Sequence, residues 1–218
     1  VAAAVAPRVH SPTGYGFEDF SYLWTGNGLW SQAWGMWVAP LALGWSARAV
    51  REGRGYGRAV LAIALTVAFH LPTAWFVLVA IGLWVVIRPS EWKRRLPRAA
   101  GVGALTVAAS AWMLVPFIVD RWAAIDSSFN GEGYFRSSFG LRRVVGWTLA
   151  GDIIDARHLP VLSVVAGVGL LACLARWRTG RTGDREVLAV AGLSLVLFVG
   201  THPFGPLIAL LPGSSQVF

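Results

Sequence analysis

AVLAIALTVAFHLPTAWFVLVAIGLWVVI, residues 59–87, is a run of 29 residues that carries no charge at neutral pH and is interrupted only at His70-Leu71-Pro72. As one straight helix it would be about 43 Å long, against a bilayer hydrocarbon core of roughly 30 Å. Its flanks decide the reading. Arg48, Arg51, Arg54 and Arg58 precede it, and Arg88, Lys93, Arg94, Arg95 and Arg98 follow it. Short loops this rich in arginine and lysine stay on the cytoplasmic side of a membrane. With both flanks on one side, the apolar run has to go in and come back. Pro72 is where it can turn, because proline lacks an N–H and drives Leu71 out of helical geometry. The stretch is expected to form a hairpin of two short apolar helices, 59–70 and 72–87, with His70 at the far tip.

Working outward, the chain alternates apolar runs with short basic loops. Spans are expected at about 30–47, 99–119, 159–175 and 187–203 beside the hairpin, with a polar external segment at 120–158. Charge counting supports this topology. The hairpin leaves 13 of the 19 basic residues inside, in the loops 48–58, 88–98 and 176–186; a single crossing at 59–87 would leave only 9 there. The expected fold is all-α, a polytopic transmembrane helix bundle forming one domain over 1–218. Pro40 is expected to kink the first span. The start on VAAAVA and the stop on SSQVF make the chain look like a segment of a longer protein.

Composition agrees with that class. Hydrophobic residues make up 56% of the chain and charged residues 14%, with a mean hydropathy of +0.58. Twelve tryptophans suit a protein whose indoles gather at two bilayer interfaces. The net charge of +8 does not point to nucleic acid, since the basic residues sit in short loops and form no continuous face with aromatic readers. Cys173 is the only cysteine, so there is no disulfide framework and no thiolate metal site. No Ser-His-Asp spacing, HExxH or CxxC occurs, and Gly131-Glu132-Gly133 is a turn with no phosphate-loop continuation.

The hairpin topology collects the unusual polar residues on the non-cytoplasmic side. Glu18 and Asp19 are adjacent acids, weak candidates for a general base or metal pair. An ionisable group inside an apolar run, as His70 is, points to phosphate binding or proton movement; its plain alternative is a helix cap. His202-Pro203 repeats the pattern at the end of a later run. Phe139–Leu149, FGLRRVVGWTL, is expected as an interfacial helix, with Leu141, Val144, Val145 and Trp147 toward the apolar phase. Its Arg142 and Arg143 would then face headgroups or a phosphate.

GFEDFSYLWTGNGLWSQAWGMWVAPLALGW (16–45), ALTVAFHLPTAWF (64–76), AWMLVPFI (111–118) and LIALLPGSSQVF (207–218) together resemble a family of bacterial membrane proteins. Its name relates it to 6-pyruvoyl-tetrahydropterin synthase, and its members look like polytopic glycosyltransferases of the GT-C superfamily. Gly-Leu-Trp-Ser-Gln at 28–32 and His-Leu-Pro-Thr-Ala at 70–74 carry most of the likeness. The pterin part of that name implies nothing for this chain. The resemblance implies sugar transfer from a polyprenyl-phosphate donor on the non-cytoplasmic face of the bacterial inner membrane, by a multi-pass protein. A divalent metal ion is a possible cofactor, and membrane lipid and a lipid-linked sugar are the implied partners. In that superfamily the main acidic residue lies in a first external loop, which here would precede the segment. That leaves Glu18 and Asp19 as secondary candidates, and His70, Arg142, Arg143, Gln32 and His202 as the expected phosphate or substrate ligands. Two other readings fit the same residues: a transporter or flippase with helices broken at Pro72 and Pro203, and a non-catalytic membrane scaffold.

Overall fold

The computed structural model describes residues 30–120, 138–150, 161–177 and 183–212. All regular structure among them is helical. The chain divides into two compact units, one holding the described residues up to Asp120 and the other those from Ser138 onward. In the first unit lie α1 (Trp30–Glu52), α2 (Tyr56–Phe69), α3 (Leu71–Val86), a 3-10 turn (Pro89–Glu91) and α4 (Trp92–Val119). In the second lie α5 (Leu141–Ala150), α6 (Val161–Ala175), α7 (Asp184–Val199) and α8 (Thr201–Ala209).

The run 59–87 doubles back. α1 and α2 are antiparallel neighbours: the Trp34 and Phe69 rings lie 6.2 Å apart at one end, and Arg58 sits 4.7 Å from the Trp45 ring at the other. α3 then returns from His70 to the level where α4 begins. There Trp92 Nε1 donates to the Val85 carbonyl at 2.8 Å, and Arg95 Nη1 to the Trp84 carbonyl at 3.2 Å. The opening turns of α4 also meet the start of the hairpin. Arg98 Nη1 donates to the Arg51 carbonyl at 2.6 Å, and the Gly101 face lies against Tyr56. Both ends of the hairpin therefore rest on one stretch of one helix.

Small side chains let these helices approach. Ala39, Ala42 and Ala49 of α1, Ala59 and Ala62 of α2, and Ala74 and Ala80 of α3 are all buried. Ile63, Val67, Val77 and Trp84 fill the space between them. Sequence-read boundaries shift for local reasons. α1 runs past 47 through Arg48 to Glu52, where an i,i+4 Arg48–Glu52 pair at 3.2 Å continues the helix. It ends at Gly53, whose φ of 72° and N–H bond to the Ala49 carbonyl form a left-handed cap. Pro40 lies inside α1 with its ring exposed.

The expected loop 88–98 is mostly helix. Only Arg88–Glu91 forms the connection, and Trp92–Arg98 are the first two turns of α4, ahead of its apolar part from Ala99. In the second unit, the run expected at 187–203 breaks at Gly200, where φ is 88°, and α8 follows. α6 ends in a turn clasped to α7: Asp184 accepts Nε and Nη2 of Arg176 at 3.0 and 3.2 Å. That pairing raises the Arg176 guanidinium above its ordinary value.

Among the described residues one stretch, Pro89–Val119, is long and apolar enough to cross a membrane by length and composition, and 17% of its apolar window is buried. Leu105, Val107, Trp112, Val115 and Ile118 all face outward from it. The shorter apolar helices α2, α3 and α6 have 14, 16 and 15 residues and do not reach that length.

Arg95 is the largest fully buried side chain, and its partner is Glu91, whose Oε2 accepts Arg95 Nε at 2.9 Å and Arg94 Nη2 at 2.6 Å. The Arg95 hydrogen bond, with the charges of Arg95 and Arg94, holds the Glu91 carboxyl below its ordinary value against the opposing effect of burial. A depressed carboxyl favours the fold while ionised. Its contribution is complete above the ordinary glutamate value of 4.5 and disappears as pH falls through the lower folded value. Glu91→Gln should therefore destabilise the protein at neutral pH by about 3 kcal/mol, by stranding a buried cation. The difference from wild type should shrink on acidification below that value, as read from denaturant midpoints of the two proteins across pH.

Candidate functional site

At the tip of the hairpin one residue serves two helices. The His70 N–H donates to the Thr66 carbonyl at 2.8 Å and closes α2, while its carbonyl accepts the Ala74 N–H at 3.1 Å and opens α3. Its backbone is extended, at φ −157° and ψ 103°. The break thus falls at His70 and not at Leu71, which already belongs to α3. Pro72 occupies a first-turn position of α3, where a missing N–H costs nothing.

The His70 side chain is half-buried, and its Nδ1 lies 2.7 Å from Thr73 Oγ1. That contact leaves Nε2 as the imidazole atom that can meet a ligand. The floor beneath is Gly35 of α1. A Cβ built there would stand 2.8 Å from the His70 Cβ, so only glycine allows the tip to sit this close. Trp34 packs edge-on against Trp37 at 4.7 Å, giving the tip an aromatic wall. Gln32, half-buried, lies three residues before Gly35 and so on the same side of α1. Thr73 and Gly35 escaped the sequence reading. The His-x-x-Thr spacing across one helical turn was a usable signal for the first, and nothing marked the second.

The remaining expected residues belong to the second unit. Gly140 N–H donates to the Val199 carbonyl at 3.0 Å and Ser138 Oγ to the Leu197 carbonyl at 3.3 Å, which fastens the start of α5 to the end of α7. Phe139 stacks 5.1 Å from both Trp147 and Phe198. The expected helix at 139–149 is present as Leu141–Ala150, with Val144 buried and Trp147 half-buried. Leu141 and Val145, expected toward an apolar phase, are exposed. Arg142 is exposed, whereas Arg143 lies 5.7 Å from the Trp147 ring centre in a cation–π contact. His202 is exposed, at a non-helical turn inside α8 and ahead of a cis bond to Pro203. The joint between α7 and α8 therefore carries His202 beside the element that carries Arg142 and Arg143.

Glu18 and Asp19 lie outside the described residues. Among the described residues no group of three or more histidine, cysteine, aspartate or glutamate side chains could hold a metal ion. Comparison of the chain with protein-family models, curated proteins and solved structures gives no match. Among the described residues these observations define an all-helical protein with one helix long and apolar enough to cross a membrane.

The Gly35 slot makes a direct prediction. Gly35→Ala should lower stability by about 1–3 kcal/mol through overpacking against the His70 Cβ. Gly44→Ala on the same helix, where a Cβ meets nothing within 4 Å, should leave stability unchanged or slightly raised. Unfolding midpoints of the two variants measured side by side check both.

Proposed function

We propose that this chain is the core segment of a multi-pass bacterial inner-membrane glycosyltransferase of GT-C type, and that it takes a sugar from a polyprenyl-phosphate donor on the non-cytoplasmic face. The observation that carries the reading is the hairpin. An apolar run returns to the end it left, with arginines crowding that end and an imidazole–hydroxyl pair at the other. The outward apolar surface of α4 supports burial in lipid, since a helix with 17% of its apolar window buried is not the core of this unit. In a hairpin that enters the bilayer from the cytoplasm, the arms of 14 and 16 residues are shielded by α1 and α4 as much as by lipid.

On this reading Thr73 Oγ1–H donates to His70 Nδ1, and His70 Nε2–H is the hydrogen-bond donor offered to the phosphate of the lipid-linked donor. Donors fixed in a low-dielectric site stabilise charge that develops on the leaving phosphate. The aromatic wall of Trp34 and Trp37 suits the isoprenoid or the sugar face. In the second unit Arg142 and His202, both exposed, remain candidates for substrate binding. A transport reading for the same substrate class draws on the two broken apolar stretches, at His70 and at His202.

Two measurements test this. In a Cys173→Ser background, Arg54→Cys and Ser90→Cys should both be labelled by a membrane-impermeant reagent from the cytoplasmic side only; labelling from opposite sides removes the hairpin topology. In the full-length protein, His70→Ala should lower sugar transfer from a polyprenyl-phosphate donor by about a hundredfold without loss of membrane insertion, and Arg142→Ala with Arg143→Ala should lower it as well. Unchanged transfer in every variant overturns the site, and lipid-linked sugar crossing vesicles without glycan product turns the reading to transport.

A further inference from the structure

We propose that the basic end of the first unit is a headgroup site for an anionic phospholipid, held by Arg54, Lys93 and Arg94 with its acyl chains along the outward face of α4. The inference rests on the membrane reading above and goes beyond it, since it concerns the end opposite the hairpin tip. Between residues 48 and 98 stand nine arginines and lysines against two glutamates, Glu52 and Glu91. Several of the nine are committed to the fold. Arg95 is buried on Glu91 and the Trp84 carbonyl, Arg98 caps the Val50 and Arg51 carbonyls at 3.3 and 2.6 Å, and Arg58 lies over Trp45.

The exposed charge is concentrated. Arg98 sits against Gly53, which brings the Gly53-Arg54-Gly55 loop onto the opening turns of α4, the turns that carry Lys93 and Arg94. All three side chains are exposed. Glu91 is shared among Arg94, Arg95 and, at 4.0 Å, Arg88. Nε and Nη2 of Arg88 and Nε of Arg51 are buried without a hydrogen-bond partner, so the cluster holds more donors than its own acceptors satisfy.

The surface below selects a lipid over a free phosphate. Trp92 and Leu96 are 49% and 58% exposed beside Lys93 and Arg94 in the chain, and the apolar strip continues from Leu96 along α4 through Val107 and Ile118. A cationic mouth above an apolar strip matches a phosphodiester above acyl chains. A juxtamembrane basic residue attracts anionic lipid by about a fivefold factor in partitioning.

The test uses the full chain mixed with vesicles of phosphatidylcholine alone or with phosphatidylglycerol. Flotation reads membrane association, and native mass spectrometry after detergent extraction reads the lipid retained. Wild type should float with both vesicles and retain phosphatidylglycerol in preference. R54Q/K93Q/R94Q should still float and lose that preference by about a hundredfold at low salt, while the charge-keeping R54K/R94K should retain it. Equal retention of the two lipids, an unaltered preference in the triple variant, or displacement of the lipid by millimolar inorganic phosphate overturns the inference alone. A wild-type chain that floats with neither vesicle overturns the membrane reading and this site together.

Discussion

Two helices of the first unit end at the same level, and the side chains of a third helix donate to their last carbonyl oxygens. α1 leaves Val50 and Arg51 to Arg98, and α3 leaves Trp84 and Val85 to Arg95 and Trp92. Helix C-termini always present such carbonyls, and the helix dipole adds negative potential there. Guanidinium groups meet both needs at once, because their donors fan out in a plane and their charge opposes the dipole. The bonds also tie α4 to both ends of the hairpin, so α2 and α3 can only run out and return. Burying Arg95 for this purpose has a desolvation cost that Glu91 offsets through a short charged hydrogen bond.

The two ends of the unit are thereby different in kind. One is crowded with cations, partly consumed in capping and partly left over. The other is a tight turn with a single imidazole–hydroxyl pair on a glycine floor. Between them the packed faces are alanine-rich and the outward face of α4 is apolar. Such a distribution is what a bilayer would impose on a protein that keeps its positive charge on one side, and it gives the proposed lipid-phosphate chemistry and the proposed headgroup site opposite addresses. In the second unit the aromatic trio Phe139, Trp147 and Phe198 plays the corresponding organising part, fixing α5 on the end of α7 and placing Arg143 over Trp147.

Much of the architecture could be read from residue order. The break at His70-Leu71-Pro72 and the interruption near His202 follow from proline in apolar runs, the return of the run from its basic flanks, and the helical segment around Arg142 from its mix of apolar and basic residues. Harder to read were the basic stretches. Arg48–Glu52 and Trp92–Arg98 looked like loops because charge is expected outside an apolar span and Pro97 reads as a boundary, yet α4 carries Pro97 inside it and i,i+4 pairs sustain both stretches. Multi-pass membrane crossing stays a proposal, because three of the apolar helices are shorter than a bilayer core and length alone does not decide for them.

By itself the sequence determined that this chain is helical, where its longest apolar run is broken, and that its positive charge clusters between apolar segments. Those are consequences of local chemistry: hydrophobic spacing, the missing N–H of proline and the charge of each loop. Only the tertiary structure decided that Arg95 is a buried cap and not a surface cation, that Thr73 partners His70, and that Gly35 is the floor on which the tip rests. These depend on which helices lie side by side at van der Waals distance, and residues as far apart as Arg51 and Arg98 carry no mark in the linear order that they will meet.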